Sequence, residues 1–441
     1  MRLLFLSAMA RFARQMGCDR RGNVLMLMGF ATIPLTLASG IAVDYAAAAR
    51  LQTKLNAAAD TAALAAVSQQ QMVDPSPTNA AGVARYVFLT QLNGVPGLIW
   101  NDSNLVVNVT GTTNRTAVVS YTASVSNTFG KIIGLSTTPI GGTATAQASS
   151  APNIDFYILL DASGSMNLPA TSAGLTQLTS ITGGCAFACH STNDATAKDA
   201  SGKQSDYYGV AKSYNIALRS DEAKTAIQNM MSQAISLSAS NHASYRAAMM
   251  SFAAASALSN NSFQTLKPLT TDLSSVRSAA ANAPISLYYT NGCPTNSYCN
   301  NDTDTASSDA FTKMNILIPN PGKGTNNPGD TPQAVMFVIT DGMRDEFRAS
   351  GIPEVAFDTT LCTAIKNRGI SIAILYTEYL PESLSDSWSK NNVLPYLNQV
   401  EPALQSCATS GLYYKVTTNS DISAALSALF QKSVSTARLT N

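Results

Sequence analysis

Ile154-Asp155-Phe156-Tyr157-Ile158-Leu159-Leu160-Asp161-Ala162-Ser163-Gly164-Ser165 is the stretch on which the fold turns. A largely apolar run, Ile154 to Leu160, leads directly into a cluster of one carboxylate and two hydroxyls. A continuous apolar run of this length reads as a strand buried on both faces of a parallel sheet. A second such run, Ala334 to Ile339, leads into Thr340-Asp341-Gly342. In an open α/β sheet, ligands bind outside the carboxyl ends of the strands. Both segments are therefore expected at one edge of one sheet, where Asp161, Ser163, Ser165 and Asp341 converge. Carboxylates and hydroxyls are hard oxygen donors, suited to Mg²⁺, Mn²⁺ or Ca²⁺ rather than to zinc.

Around these runs, strand-like and helix-like segments alternate in the order that signals a parallel sheet. Strands are predicted at 245–252, 264–269, 370–377 and 412–416. Helices are predicted at 221–237, 272–283, 306–317, 354–368 and 421–435. In the first helix Ala226, Ile227, Met230, Met231, Ala234 and Ile235 form the apolar face. Ser149-Ser150-Ala151-Pro152 reads as a linker, so this α/β domain spans about residues 153–437, with insertions at about 167–215 and 286–304.

The N-terminal third is different. Arg2, Arg11, Arg14, Arg20 and Arg21 precede an uncharged stretch, Val24 to Val43. About twenty helical residues span roughly 30 Å, the thickness of a hydrocarbon core. A retained anchor, a cleaved signal peptide and a buried helix all compete for this segment. Its length favours a transmembrane helix over 22–43, because signal-peptide cores run only about 7–15 residues. The one-sided arginines place residues 1–21 in the cytoplasm and the remainder outside. Beyond Asp44 the chain is rich in Ala, Leu, Gln and Lys, predicting a helical stalk to about Gln70. Leu51, Leu55, Leu64 and Val67 are read as its apolar side. A short helix at 80–92 and alternating runs at 105–110, 116–125 and 143–147 predict a small α+β domain within 44–150.

A net charge of +1 offers no basic patch for nucleic acid. Charged residues make up only 12% of the chain, about half the usual share, which fits an exported protein. Of the seven cysteines, Cys18 falls on the cytoplasmic side. The others form sequence pairs: Cys185 with Cys189, Cys293 with Cys299, and Cys362 with Cys407. An even number outside the membrane favours disulfides, and near neighbours are the expected partners among the 15 possible connectivities.

Asp161-x-Ser163-x-Ser165 after one buried strand and Asp341-Gly342 after another resemble the metal-ion-dependent adhesion site of von Willebrand factor A domains. The resemblance implies a doubly wound, Rossmann-like domain holding one divalent cation. Ser163 and Ser165 would be direct ligands, and Asp161 and Asp341 would anchor the ion partly through water. A threonine completes the family's set, and spacing favours Thr305 over Thr303. Neutral hydroxyls leave such an ion electrophilic, so that an acidic side chain from a protein partner can complete its shell.

The N-terminus carries a second resemblance. Arg20-Arg21-Gly22-Asn23-Val24, Asp44-Tyr45, the run from Asn56 to Ala65 and Cys185-Ala186-Phe187-Ala188-Cys189-His190 resemble the TadG-like family of tight-adherence (Flp) pilus assembly. That likeness implies a single-pass bacterial inner-membrane protein with a periplasmic C-terminal domain. Gly22 is followed five residues on by Leu27 rather than glutamate, so pilin-type cleavage is not expected. The expected role is non-enzymatic: pilus assembly or adhesion through a metal-bridged protein partner. The alternative is a structural subunit packing by its N-terminal helix. Three residues separate Cys185 from Cys189, where c-type haem needs two, and His190 and His242 lie in no zinc motif. The two cysteine-bearing insertions flank the metal ligands and are expected to form a collar that selects the partner.

Overall fold

A computed structural model of the chain describes residues 22–74, 76–188, 197–253, 263–285, 305–327, 329–346, 355–384 and 387–439. The chain divides into two compact units, Met1–Ala148 and Ser149–Asn441. Cys18, Cys189, Cys293, Cys299, Thr303 and the insertion at 286–304 lie outside the described residues.

In the first unit one helix, α1 (Gly22–Ala66), runs for 45 residues with Pro34 inside it. Among the described residues it is the one helix long and apolar enough to cross a membrane. Met26, Leu27, Met28, Phe30, Ile33 and Leu35 are all exposed along its first half. From Ala48 onward the helix changes character. Ala48, Leu51, Leu55, Ala58, Ala59, Ala62, Ala63 and Ala66 are buried together, a spacing that lines one face of a helix. The small side chains let α2 (Pro77–Leu92) and the sheet approach closely. Leu64, read from the sequence as part of that face, is exposed, because it lies one position round the helix from Ala63.

The sheet of this unit comprises β1 (Leu98–Ile99), β2 (Leu105–Thr110), β3 (Asn114–Ser126) and β4 (Thr137–Ser149). Strand β3 pairs antiparallel with β2, Leu105 opposite Tyr121, and further along with β1, Leu98 opposite Val125. It also pairs with β4. Alternate residues of β3, from Arg115 to Val125, are buried, as the period of a half-buried strand requires. Arg115 occupies one such inward position. Its guanidinium donates to the carbonyls of Gln71 and Asp74, both at 2.6 Å, which satisfies backbone groups at the end of the short helix Gln69–Val73. Tyr121 Oη donates to Asn56 Oδ1 at 2.7 Å, tying the sheet to α1.

The second unit holds a six-stranded sheet of β5 (Ile154–Asp161), β6 (Tyr245–Phe252), β7 (Phe263–Thr270), β8 (Gln333–Thr340), β9 (Ser371–Thr377) and β10 (Tyr413–Val416). Their spatial order is β10-β9-β8-β5-β6-β7. All pairings are parallel except that of β7, an antiparallel edge strand with shifted register. The alternating order predicts a parallel sheet, which holds from β10 to β6, and β7 departs from it as an antiparallel edge strand. The strand order reverses between β5 and β8, which are direct neighbours with Leu160 opposite Ile339.

Helices cover both faces. On one, α3 (Arg219–Asn241), α4 (Leu273–Ala281) and α8 (Ile422–Leu439) pack with Phe156, Ile158, Leu160 and Phe337. On the other, α5 (Ser307–Leu317), α6 (Thr359–Asn367) and α7 (Val400–Cys407) pack with Tyr157, Leu159, Met336 and Val338. Every residue of β5 is buried, which explains its unbroken apolar pattern. A disulfide joins Cys362 in α6 to Cys407 at the end of α7, with Cα atoms 5.0 Å apart. Ile235, assigned by periodicity to the buried face of α3, is exposed, since it sits beside Ala234 at the edge of that stripe. Helix α6 begins at Thr359, five residues after the predicted start, where Asp358 accepts from Thr360 N at 2.9 Å and caps it.

Phe156 makes ring contacts with Tyr245, Phe337 and Phe430, at centroid distances of 5.3, 6.1 and 5.3 Å. Phe156→Ala is expected to lower the unfolding free energy by about 3–5 kcal/mol, measured by urea denaturation; an unchanged midpoint would contradict this packing.

Candidate metal site

Asp161 is the last residue of β5, and Asp341 follows the last residue of β8. These strands are adjacent at the point where the sheet order reverses, the position at which open α/β sheets place ligands. Both carboxylates are buried.

The hydrogen bonds show how each is oriented. Asp161 Oδ1 accepts from Ser163 N at 3.0 Å, so the carboxylate closes its own loop. Asp161 Oδ2 accepts from Thr340 Oγ1 at 2.6 Å, which fixes it to the end of the neighbouring strand. The same Thr340 hydroxyl accepts from Gly342 N at 2.9 Å, shaping the turn after Asp341. Asp341 Oδ1 accepts from Met343 N at 3.4 Å. Ser163 Oγ and Ser165 Oγ lie 3.1 Å apart. Asp341 Oδ2 is buried without a hydrogen-bond partner among the described residues.

Two buried carboxylates so close together are electrostatically strained. Burial, then the charge of Asp341, pushes the Asp161 carboxyl up to about 7. Burial raises Asp341 as well, against the lowering effects of the Ser165 hydroxyl and the Arg219 guanidinium. Arg219, in the first turn of α3, is almost wholly buried, and its Nη1 has no hydrogen-bond partner among the described residues. Ser220 Oγ donates to Asn167 Oδ1 at 2.8 Å, and Arg219 N donates to Leu168 O at 3.0 Å, which hold this turn against the Ser163–Ser165 loop.

Thr305 sits ahead of α5 and is buried. It exchanges backbone hydrogen bonds of 3.0 and 3.2 Å with Asp345, four residues past Asp341, and Ala306 N donates to Ala253 O just beyond β6. The threonine thus lies at the same end of the sheet as the other four residues. Among the described residues no group of three His, Cys, Asp or Glu side chains is arranged to hold a metal. The candidate set instead joins two carboxylates to hydroxyls. An orphaned buried carboxylate oxygen, a second carboxylate with a raised pKa, and paired serine hydroxyls fit a hard divalent cation.

The first insertion adjoins this site. It contains helices Ser172–Ile181 and Tyr207–Ser213, whose Leu178, Val210 and Ala211 form a small core with Ile216 and Leu218 just beyond the insertion. Phe187 packs against a buried cluster that includes Met343, two residues past Asp341, and its ring lies 6.1 Å from that of Tyr379. Cys185 Sγ is 3.4 Å from Phe187 O. Arg219 and Thr340 were not singled out from the sequence. Thr340 stood within the second motif, but nothing in the pattern marked Arg219.

The family match falls at the other end of the chain. Residues 22–69 match the family model Tad, described as Flp pilus-assembly TadE/G-like. No curated protein matches the sequence. Among solved structures, the PilB minor pilin from Streptococcus sanguinis is similar at 10% identity over 78% of each chain, with a TM-score of 0.34. The open conformation of the pilus adhesin SpaC from Lactobacillus rhamnosus GG is similar at 10% identity, with a TM-score of 0.37. That match covers 78% of this chain and 35% of the adhesin, so the chain spans about a third of the adhesin's length.

Two expected outcomes follow from the site. Without a divalent cation, the folded chain holds a proton on Asp161 that the unfolded chain has released. Stability should therefore fall as pH rises from about 4 to about 7, and Mg²⁺ should flatten that slope in urea titrations; coincident curves with and without Mg²⁺ would contradict a cation site. Gly342 has φ +79°, and an added Cβ would lie 2.6 Å from both Leu404 Cδ1 and Val400 Cγ1. Gly342→Ala should lower stability by about 1–3 kcal/mol, seen as a reduced urea midpoint.

Proposed function

We propose that this chain is a membrane-anchored, non-enzymatic component of Flp/Tad pilus assembly or adhesion. Its second unit is read as a von Willebrand factor A-type domain that captures a protein partner through one divalent cation. The pilus assignment rests on the Tad-family match over residues 22–69. The adhesive reading rests above all on one observation: Asp161 and Asp341 end adjacent central strands where the sheet order reverses, with Asp341 Oδ2 buried and unpaired among the described residues.

In this reading Ser163 and Ser165 hold the ion directly. Asp161, Asp341 and Thr305 hold it directly or through water. Bound there, Mg²⁺, or Mn²⁺ or Ca²⁺ in its place, supplies a Lewis-acidic position for a partner's carboxylate. Thr340 positions Asp161, and Arg219 offsets part of the carboxylate charge, leaving the site short of one cation. The first insertion, whose Phe187 packs against the cluster of Met343 and Tyr379, is read as the part of the collar that chooses the partner. Helix α1 is read as the inner-membrane anchor, with residues 1–21 cytoplasmic and the A-type domain periplasmic.

The test is capture of envelope proteins by the full chain, with Mg²⁺ and with EDTA. Partner recovery should depend on Mg²⁺ and be lost in Asp161→Ala, while circular dichroism shows the variant folded. Recovery indifferent to chelator, with the chain still entering filaments, would favour a structural subunit that packs by its N-terminal helix.

A further inference from the structure

Between β3 and β4 the chain makes a tight connection over residues 127–136, built on the single helical turn Gly130–Ile133. Turns of this kind ordinarily carry polar residues. Here Phe129, Ile132, Ile133 and Leu135 are 41, 71, 49 and 55% exposed. Four large apolar side chains in one short loop form a patch that water does not favour.

The loop is fixed to α1 at a particular height. The Asp44 carboxylate accepts from the backbone N–H groups of Thr128, Phe129 and Gly130, at 2.9, 2.9 and 2.7 Å. One turn earlier, a Cβ placed on Gly40 would meet the Phe129 ring at 2.6 Å, so the ring lies directly against the helix backbone. Asp44 is the first charged residue after Arg21, and therefore marks where the apolar span ends. Gly40 lies about 6 Å further toward the span, at 1.5 Å per residue. The exposed Ile41 and Val43 of α1 flank the same contact.

We propose that the loop over 127–136 is a lipid-facing wedge that enters the interfacial layer of the bilayer beside α1. This rests on reading α1 as a transmembrane helix. The patch continues the span's own exposed apolar surface, at the depth where amphipathic segments insert, about 5–10 Å below the headgroups. Lys131, exposed in the same turn, can extend its ammonium to lipid phosphates while its stem stays in the apolar layer. The three hydrogen bonds to Asp44 then fix how far the first unit stands off the membrane.

The experiment places single tryptophans in the full chain, reconstituted in phosphatidylethanolamine–phosphatidylglycerol vesicles. Quenching by lipids brominated high on the acyl chain is compared with quenching by aqueous acrylamide. Each signal is read as the increment over the parent chain, which already holds Trp100 and Trp388. Ile132→Trp and Leu135→Trp probe the wedge, Phe30→Trp probes the span, and Val106→Trp, exposed on β2, probes the same unit away from the loop. The expected result is strong bromolipid quenching at positions 132, 135 and 30, and acrylamide quenching alone at 106. If position 30 is quenched by lipid but 132 and 135 respond only to acrylamide, the loop faces water and the proposal fails. If 132 and 135 are shielded from both quenchers, protein covers the patch and the proposal fails as well. Absence of lipid quenching at position 30 would overturn the transmembrane reading itself.

Discussion

Two carboxylates that cannot comfortably both be charged stand at the carboxyl ends of the two central strands of the second unit. Asp161 and Asp341 are buried at the ends of neighbouring strands, and Thr340 bridges from one strand end to the other carboxylate. Burial of like charges is unfavourable unless something positive compensates. Arg219 supplies part of that compensation from the first turn of α3. The surrounding architecture serves to keep the pair in place. Strand β5 is buried along its whole length, and helices on both faces prevent the two strand ends from separating.

Much of this was legible in the sequence because β5 and β8 are covered on both sides. A strand with two buried faces has no polar alternation to disguise it, so its run and the motif after it stand out. The half-buried β3 was legible for the opposite reason, its strict alternation from Ala117 to Val125. Less legible were features that depend on three-dimensional packing alone. Arg219 opens a helix after a long insertion, and no spacing rule links it to Asp341. The helices Ser172–Ile181 and Tyr207–Ser213 are short and polar, with a core of few residues. Ile235 and Leu64 fail for a simpler reason: helical periodicity marks a stripe but not its edges.

The first unit follows a different physical logic. Its core is built largely from alanine on α1, where close approach replaces bulky side chains. Arg115 shows how a charged residue can occupy an inward strand position when its guanidinium serves carbonyl groups at a helix end. Tyr121 does the same on a smaller scale through Asn56. Asn56 belongs to the matched stretch 22–69, and its partner Tyr121 lies on β3. The buried Tyr121 hydroxyl thus finds its partner on the matched helix.

Helix α1 crosses from its apolar half to its alanine-rich half without a break, about 67 Å of continuous helix over 45 residues. Beyond Pro34 no proline interrupts it, and its packed half is clamped by α2 and the sheet. From Leu35 to Ala66 the direction of the helix and the orientation of the packed half are consequently coupled. A torque or pull applied to the packed half would pass into the apolar half along continuous helix as far as Pro34, where a missing backbone hydrogen bond offers the first place to bend.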